Sequence, residues 1–312
     1  MIVCILASKK IKHLIVITGP TASGKTSLSI QLAKHYKTCI LSADSRQFYK
    51  EIAIGTAKPS KEEQDGVKHY FIDSHNLTDE LTSAQFEREA LDILEAEFKT
   101  HNIIVLTGGS GMFIDALCIG LDKIPSSAQI KAQIQLEYDE LGLEPLLTEL
   151  AEKDIEYYNE VDRRNPMRII RALEVIRLSG KTFSEQRKSK PTPRPFTTHR
   201  FVIEHERESL YNRINDRVDM MINLGLVEEV KSVQKLNHLS SLNTVGYKEI
   251  FEFIDQKITL DEAIEKIKMN TRRYAKRQLT WFRRHEATNW IKYSTLNIMT
   301  KEIIDKIEKE IH

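Results

Sequence analysis

The chain reads as an α/β protein: a P-loop-type parallel sheet flanked by helices, with an all-helical insertion domain and a helical C-terminal region. Three observations predict this. Gly19-Pro20-Thr21-Ala22-Ser23-Gly24-Lys25-Thr26 satisfies every fixed position of G-x-x-x-x-G-K-[ST]. Up to about residue 123, short apolar runs alternate with helix-compatible segments, the pattern of a parallel sheet with helices on both faces. From about 124 to 190 the apolar spacing is helical only. The expected division is residues 1–123 for the first part of the core, 124–197 for the helical insertion, and 198–312 for the return to the core plus C-terminal helices.

Each element has its own signal. Leu14–Thr18 is a β-branched apolar run, as a buried parallel strand should be. Leu28, Ile30, Leu32 and Ala33 then suit a helix. Thr38–Ser42 reads as a second strand and Lys68–Asp73 as a third. Ala84–Phe98 is amphipathic, and Ile103–Thr107 is a strong buried strand ending at Gly108-Gly109. Ile130–Leu141, Pro145–Lys153 and Asn165–Ser179 are the helices of the insertion. Lys188-Ser189-Lys190-Pro191-Thr192-Pro193-Arg194-Pro195 is a break that no helix survives. Arg200–Glu204 resumes a strand. Glu208–Leu224, Gly246–Asp255 and Leu260 to about Arg284 read as helices.

At 312 residues the chain is long enough for a full core plus one module. Hydrophobic content of 41% and charged content of 29% are ordinary for a globular protein. Cys4, Cys39 and Cys118 form no C-x-x-C pair, so no zinc site or disulfide framework is expected, in keeping with a reducing cytoplasm. Met1–Ala7 is apolar but short, and Lys9, Lys10 and Lys12 follow it, so it reads as an extension before the first strand rather than a signal peptide. No stretch approaches the ~18 apolar residues of a membrane span.

The loop carries the first chemistry. Its backbone N–H groups and the following helix N-terminus converge on anionic oxygens, Lys25 adds a positive charge, and the Thr26 hydroxyl can ligate Mg²⁺. The site therefore takes a phosphate or diphosphate ester. An ordinary P-loop ATPase carries a carboxylate at the end of a hydrophobic strand. The strongest strand here ends Thr107-Gly108-Gly109-Ser110 instead. Asp44, just past the second strand on the same sheet edge, could be a base, an outer Mg²⁺ ligand acting through water, or an N-cap or turn aspartate. Ser110 can cap the next helix or donate to a bound oxygen.

The net charge of +1 hides two basic clusters. Arg163, Arg164, Arg168 and Arg171 surround Asn165-Pro166, which suit N-cap and N1. Arg164, Arg168 and Arg171 then share a face. Lys268, Arg272, Arg273, Lys276, Arg277, Arg283 and Arg284 run with no acid among them, and Arg273, Arg277, Trp281 and Arg284 follow one stripe. Such residues suit a phosphate backbone and unstacked bases, although a solvated cationic face has the same composition.

Together these pieces resemble the bacterial tRNA dimethylallyltransferases, or tRNA isopentenyl transferases, from Leu14 to about Trp290. The carriers are Gly19–Thr26, Asp44-Ser45-Arg46-Gln47-Phe48-Tyr49, Ile54-Gly55-Thr56-Ala57-Lys58-Pro59 and Gly108-Gly109-Ser110-Gly111. Further along come Asn165–Glu174, Val245-Gly246-Tyr247-Lys248-Glu249 and Ala275-Lys276-Arg277-Gln278-Leu279-Thr280-Trp281-Phe282-Arg283. The resemblance implies transfer of a dimethylallyl group from dimethylallyl diphosphate to N6 of the adenine 3'-adjacent to the anticodon, giving N6-isopentenyladenosine. It implies Asp44 as general base, a hydroxyl at Ser110, and Arg217 on the diphosphate. It places that diphosphate on Gly19, Pro20, Thr21, Ala22, Ser23, Gly24, Lys25 and Thr26, with Mg²⁺ on Thr26.

By the same resemblance, contacts to the tRNA anticodon stem-loop fall on Asp44, Ser45, Arg46, Gln47, Lys131, Met167, Arg168, Ile169, Ile170 and Arg171. They continue on Gly246, Tyr247, Lys248, Lys276, Arg277, Gln278, Trp281 and Arg283. The chain departs from the usual family residues with Ser110 for Thr, Phe113 for Tyr and Asn243 for Gln. A cytoplasmic monomer is expected. The alternatives are an adenylate isopentenyltransferase, a small-molecule P-loop kinase and a non-catalytic RNA-binding module.

Overall fold

The computed structural model describes residues 11–79, 81–122, 124–187 and 192–311. The segments 1–10, with Cys4, and 188–191, half of the Pro-rich break, lie outside the described residues. The chain divides into two compact units: one of residues up to Cys118 together with Arg194 onward, the other Ile119–Pro193.

In chain order, the first unit opens with β1 (His13–Thr18), α1 (Lys25–Tyr36), β2 (Ile40–Ser42), β3 (His69–Tyr70), α2 (Ser83–Glu97), β4 (Ile103–Gly108) and α3 (Gly111–Ile119). The second unit carries α4 (Ala128–Leu141), α5 (Glu144–Lys153), α6 (Ile155–Glu160), α7 (Pro166–Ser179) and α8 (Phe183–Gln186). The chain then returns through β5 (Thr197–Glu204), α9 (Arg207–Asn223), α10 (Leu226–Ser232), α11 (Tyr247–Ile254), α12 (Leu260–Phe282), β6 (Thr288–Lys292) and α13 (Leu296–Ile311).

The six strands form one parallel sheet in the order β3-β2-β4-β1-β5-β6. Successive side chains on a strand point to opposite faces, so one apolar run supplies two cores. Leu14, Val16, Ile104 and Leu106 join Phe86, Leu94 and Leu117 on one face, under α2 and α3. Ile15, Ile17, Val105 and Phe201 join Leu28, Leu32, Ile303 and Ile307 on the other, under α1 and α13. Each fully buried Leu, Ile or Phe contributes about 1.5–3 kcal/mol relative to exposure. A third cluster gathers Tyr49, Ile52 and Leu77 against α9–α12.

Some elements differ from expectation. Lys68–Asp73 pairs only at His69 and Tyr70, because Phe71 (φ 62°) and Asp73 (φ 51°) leave the extended region. That turn carries the Phe71 ring into the core, 4.7 Å from Phe86 and 5.8 Å from Phe48. The strand expected at Arg200 already starts at Thr197. The helical unit accordingly closes at Pro193 instead of 197, and it opens at Ile119 instead of 124. Reading from sequence missed α6, α8, α10, β6 and α13. For α13 the signal was present: Leu296, Met299, Ile303 and Ile307 recur at helical spacing, and the last three are buried.

The second unit has a core of its own. Ile169, Ile170, Leu173 and Ile176 of α7 pack with Ile134, Leu146, Leu150 and Tyr157. Its buried acids are partnered. Glu174 accepts from Arg171, the Ser126 hydroxyl and the Ser127 N–H. Asp154 caps α6 through the Tyr157 N–H and accepts both the N–H and hydroxyl of Ser184.

β2 and β4 stay joined beyond their last strand residues. Ala43 N–H donates to Thr107 O (2.6 Å), and Ser110 N–H donates to Ala43 O (3.2 Å). A Cβ at Gly108 would fall inside the Ala43 carbonyl, which is backbone and cannot swing aside. Gly108→Ala should therefore destabilise the protein by roughly 1–3 kcal/mol, the usual cost of overpacking. Urea denaturation checks this, and a wild-type midpoint would contradict the close approach.

Candidate active site

Ligands of open parallel sheets sit outside the carboxyl ends of the strands. Here three adjacent strands, β2, β4 and β1, deliver the chemistry from that edge. β1 feeds the loop Gly19–Gly24, β2 feeds Asp44, and β4 feeds Ser110. Gly24, at φ 87°, is the N-cap of α1 and lets the loop turn directly into the helix. Lys25 donates its ammonium to Gly19 O (3.0 Å) and Pro20 O (2.7 Å).

The charges converge. Loss of water pulls the Lys25 ammonium down to about 7; nearby Asp44 opposes the shift and nearby Arg217 adds to it. Desolvation also holds Arg217, on α9, below the ordinary arginine range, with Asp44 and Glu63 opposing and Arg213 adding. Lys25, Asp44 and Arg217 thus feel one another around a single spot, though they are far apart in sequence. Two cations and one carboxylate there suit a dianionic or trianionic group beside a proton acceptor.

Asp44 occupies a tight turn. Its Oδ1 accepts the Arg46 N–H (3.2 Å), and its carbonyl accepts the Gln47 N–H (3.2 Å). The turn role and a chemical role therefore coexist in one residue. Ser110 does not spend its hydroxyl on its own helix. Its Oγ accepts the Ser45 N–H (2.9 Å) and lies 3.2 Å from Ser45 Oγ, linking the β4 loop to the Asp44 turn. Tyr274 of α12 joins them and was missed in the sequence. Its phenol is pushed up to about 12 by burial and by nearby Asp44, so it remains a proton-bearing group beside the turn. The only local sign was an aromatic residue inside an otherwise basic helix.

Several residues expected to touch tRNA face inward. Gln278 is buried; its Oε1 accepts the Thr21 N–H (2.9 Å) and its Nε2 donates to Gly109 O (2.9 Å). Trp281 packs on Gly111 and donates its indole N–H to Asp115 (2.7 Å). Trp281 leaves the expected stripe because steps of four residues drift around a helix of 3.6 per turn. Tyr247 is fully buried, with its hydroxyl on Glu229 (2.5 Å) and its pKa raised by burial and that carboxylate. Ile169 and Ile170 are core residues of the helical unit, and Arg171 is held by Glu174. Gly246, at φ 98°, is the buried entry to α11.

Glu229, also missed, organises a neighbouring loop. It accepts the N–H groups of Ala53 (2.7 Å), Ile54 (2.8 Å) and Gly55 (2.9 Å). That loop in turn receives the Gln47 amide at Thr56 O and Ala57 O (3.2 Å each). Arg46 reaches Ser240 O at 3.4 Å. Of the basic helix, Lys268 pairs with Asp219 and Arg272 with Asn215, both toward α9. Arg273, Lys276, Arg277, Arg283 and Arg284 are exposed, as are Lys131, Met167, Arg168 and Lys248.

Among the described residues no group of three or more His, Cys, Asp or Glu side chains could hold a metal ion. The donors that do lie at the loop are hard oxygens, the Thr26 hydroxyl and the Asp44 carboxylate. They fit an ion of the Mg²⁺ type, which is commonly held by one or two protein oxygens with the rest from phosphate and water. Cys39 and Cys118 are free, and burial pushes both thiols up to about 11.

The chain is similar to proteins of one known family. The IPP transferase family model matches residues 47–285. The tRNA dimethylallyltransferase 1 of Bacteroides fragilis is 48% identical over 280 residues, covering 89% of this chain and 93% of that protein. The chain belongs to the IPP transferase family. The tRNA dimethylallyltransferase of Flavobacterium johnsoniae, another relative, is 42% identical over 308 residues, covering 96% of this chain and all of that one. Among solved structures, the tRNA isopentenylpyrophosphate transferase of Bacillus halodurans superposes with a TM-score of 0.72 at 33% identity, over 96% and 97% of the two chains. A eukaryotic dimethylallyltransferase acting on tRNA gives a TM-score of 0.76 at 25% identity, over 92% and 75%.

The lowered Lys25 pKa has a direct consequence. Above pH 7 a fraction of the ammonium is neutral, and a bound diphosphate favours the charged form. Binding of inorganic diphosphate at pH 8 should then take up protons at the protein, and affinity should fall as pH rises. Calorimetry in two buffers of different ionisation enthalpy measures the uptake. Lys25→Arg should remove the protein's share; equal uptake in both proteins would contradict the assignment.

Proposed function

We propose that the protein transfers a dimethylallyl group from dimethylallyl diphosphate to N6 of the adenine 3'-adjacent to the anticodon of tRNA, giving N6-isopentenyladenosine. The observation that carries this reading is the convergence of the phosphate loop, Asp44, Ser110 and Arg217 at the carboxyl ends of three neighbouring strands. An adenine amine is a weak nucleophile, because its lone pair is delocalised into the ring. It needs a carboxylate to accept its proton and a leaving group that departs easily.

The step balances on these residues. A bond forms between N6 and C1 of the allyl group, the C1–O bond to diphosphate breaks, and the N6 proton goes to Asp44. The loop amides of Ala22 and Gly24–Thr26, the Lys25 ammonium and the Arg217 guanidinium take up the charge that grows on the departing oxygen. Ser110, fixed by Ser45, offers its hydroxyl beside the reacting centre. Mg²⁺ is the proposed divalent ion, held by the Thr26 hydroxyl, and when bound it supplies further neutralisation of the diphosphate.

The adenine must leave its stack to reach such a site, as bases do in enzymes that modify them. Exposed cations suit the anticodon stem-loop: Lys276, Arg277 and Arg283, together with Arg273, on the first unit, and Lys131 and Arg168 on the second. Ser45, Arg46, Gln47 and Lys248 are the remaining proposed contacts near the Asp44 turn and α11. Among the described residues no helix is long and apolar enough to cross a membrane. A cytoplasmic monomer is the proposed setting.

The deciding experiment is mass spectrometry of nucleosides from unmodified tRNA incubated with the protein, Mg²⁺ and dimethylallyl diphosphate, with AMP in a parallel tube. Prenylated adenosine from tRNA with AMP untouched is expected; prenylated AMP alone would move the protein to the nucleotide-modifying branch. Asp44→Ala should keep tRNA affinity and lose turnover by roughly 10²–10⁴-fold, the usual worth of a general base. Equal loss of binding and turnover would remove that role. Replacing Arg273 and Arg277 together with Ala should weaken tRNA binding and lower its salt slope by roughly one to two. An unchanged slope would take α12 out of the interface.

A further inference from the structure

We infer that Arg213, with Tyr293 and His205, braces the phosphate loop from its outer side and thereby sets the protein's affinity for the diphosphate. This is a positioning role, distinct from the direct contact assigned to Arg217, and it rests on reading the loop as a diphosphate site.

The need for a brace follows from the loop's shape. A loop that aims its amide N–H groups at an anion must turn carbonyls the other way, and those carbonyls need donors. Arg213 donates its Nε to Ala22 O at 2.8 Å, and His205 donates its Nε2 to Ser23 O at 3.1 Å. Ala22 is also a non-glycine residue at φ 62°, a left-handed conformation that persists only where surroundings hold it. Its methyl lies among Leu210, Ile214 and Ala275, so α9 and α12 grip the side chain while Arg213 grips the carbonyl.

The brace is itself held. The Arg213 guanidinium lies 5.0 Å from the centre of the Tyr293 ring and donates Nη1 to the Tyr293 hydroxyl at 3.1 Å. The Tyr293 N–H is anchored to Glu204 O at 2.8 Å, one residue past β6, and its ring stacks on His205 with centroids 4.0 Å apart. A Cβ added at Gly24 would touch that ring at 3.7 Å, so the aromatic pair lies directly against the start of α1. The His205 Nδ1 is buried and, among the described residues, has no hydrogen-bond partner. A proton there would be unsatisfied and would face Arg213 and Lys25, so the ring stays neutral with its proton on Nε2.

Arg213 stands four residues before Arg217, so both point from one face of α9. One arginine approaches the spot shared by Lys25 and Asp44; the other holds the carbonyl side of the loop that defines it. Polarising the Ala22 peptide from its oxygen also strengthens the Ser23 N–H, which donates to Pro20 O at 3.3 Å and so stiffens the loop. A lysine could supply the charge, but it cannot donate to Ala22 O and Tyr293 together in the fixed fork of a guanidinium.

The test is direct binding of inorganic diphosphate, which requires no prenyl transfer, by calorimetry on the full chain. Arg213→Ala and Arg213→Lys should each weaken binding about tenfold, and Tyr293→Phe about threefold, in ligand-free proteins that remain folded by circular dichroism. Wild-type affinity in Arg213→Ala would overturn the brace. Full rescue by lysine would overturn it too, showing that charge near the loop suffices. If Arg213→Ala does not fold, Arg213→Lys and Tyr293→Phe decide. Failure of the wild-type protein to bind inorganic diphosphate would instead reject the reading of the loop on which the brace depends.

Discussion

A single buried amide ties the active-site loops together. Gln278 accepts the Thr21 N–H and donates to Gly109 O, so the loop after β1 and the loop after β4 share one side chain. An amide carries donor and acceptor on one rigid plane, which a carboxylate or an ammonium does not. Both partners are backbone groups, and leaving either unsatisfied in a buried place costs about 1–3 kcal/mol. The separation of the phosphate loop from the Ser110 turn is set by this bridge. The β2–β4 contacts at Ala43 then bring the Asp44 turn to the same edge.

The same logic explains why motif residues proved structural. Tyr247 is buried with its hydroxyl on Glu229, Glu229 collects three N–H groups of the 53–55 loop, and that loop receives the Gln47 amide three residues from Asp44. A short motif can therefore shape the Asp44 turn from a distance, by holding the loop that the Gln47 amide reaches. Ile169 and Ile170 are similar: their helix presents Met167 and Arg168 to solvent only because its other face is buried.

Charge is divided by location. Lys268, Arg272 and Arg171 are committed to Asp219, Asn215 and Glu174. Exposed Arg273, Lys276, Arg277, Arg283 and Arg284 remain as the surface a polyanion would meet. A chain of net charge +1 can thus present a strongly basic strip, because its acids sit elsewhere as caps and ion-pair partners.

The sequence by itself determined the architecture and the phosphate loop. Apolar β-branched runs, helical spacing and G-x-x-x-x-G-K-[ST] are local patterns, and local backbone physics suffices to read them. The roles proposed for Asp44, Ser110 and Arg217 come from resemblance, since nothing within each segment says that they share one edge. Tertiary structure alone decided the rest. Which face of α12 turns inward at Gln278 and Trp281, where the Ser110 hydroxyl is spent, and that Tyr274, Glu229, Arg213 and His205 serve the site all depend on neighbours tens to hundreds of residues away. A side chain's role depends on its burial and its partners. Both are set by packing between elements, which no single segment encodes.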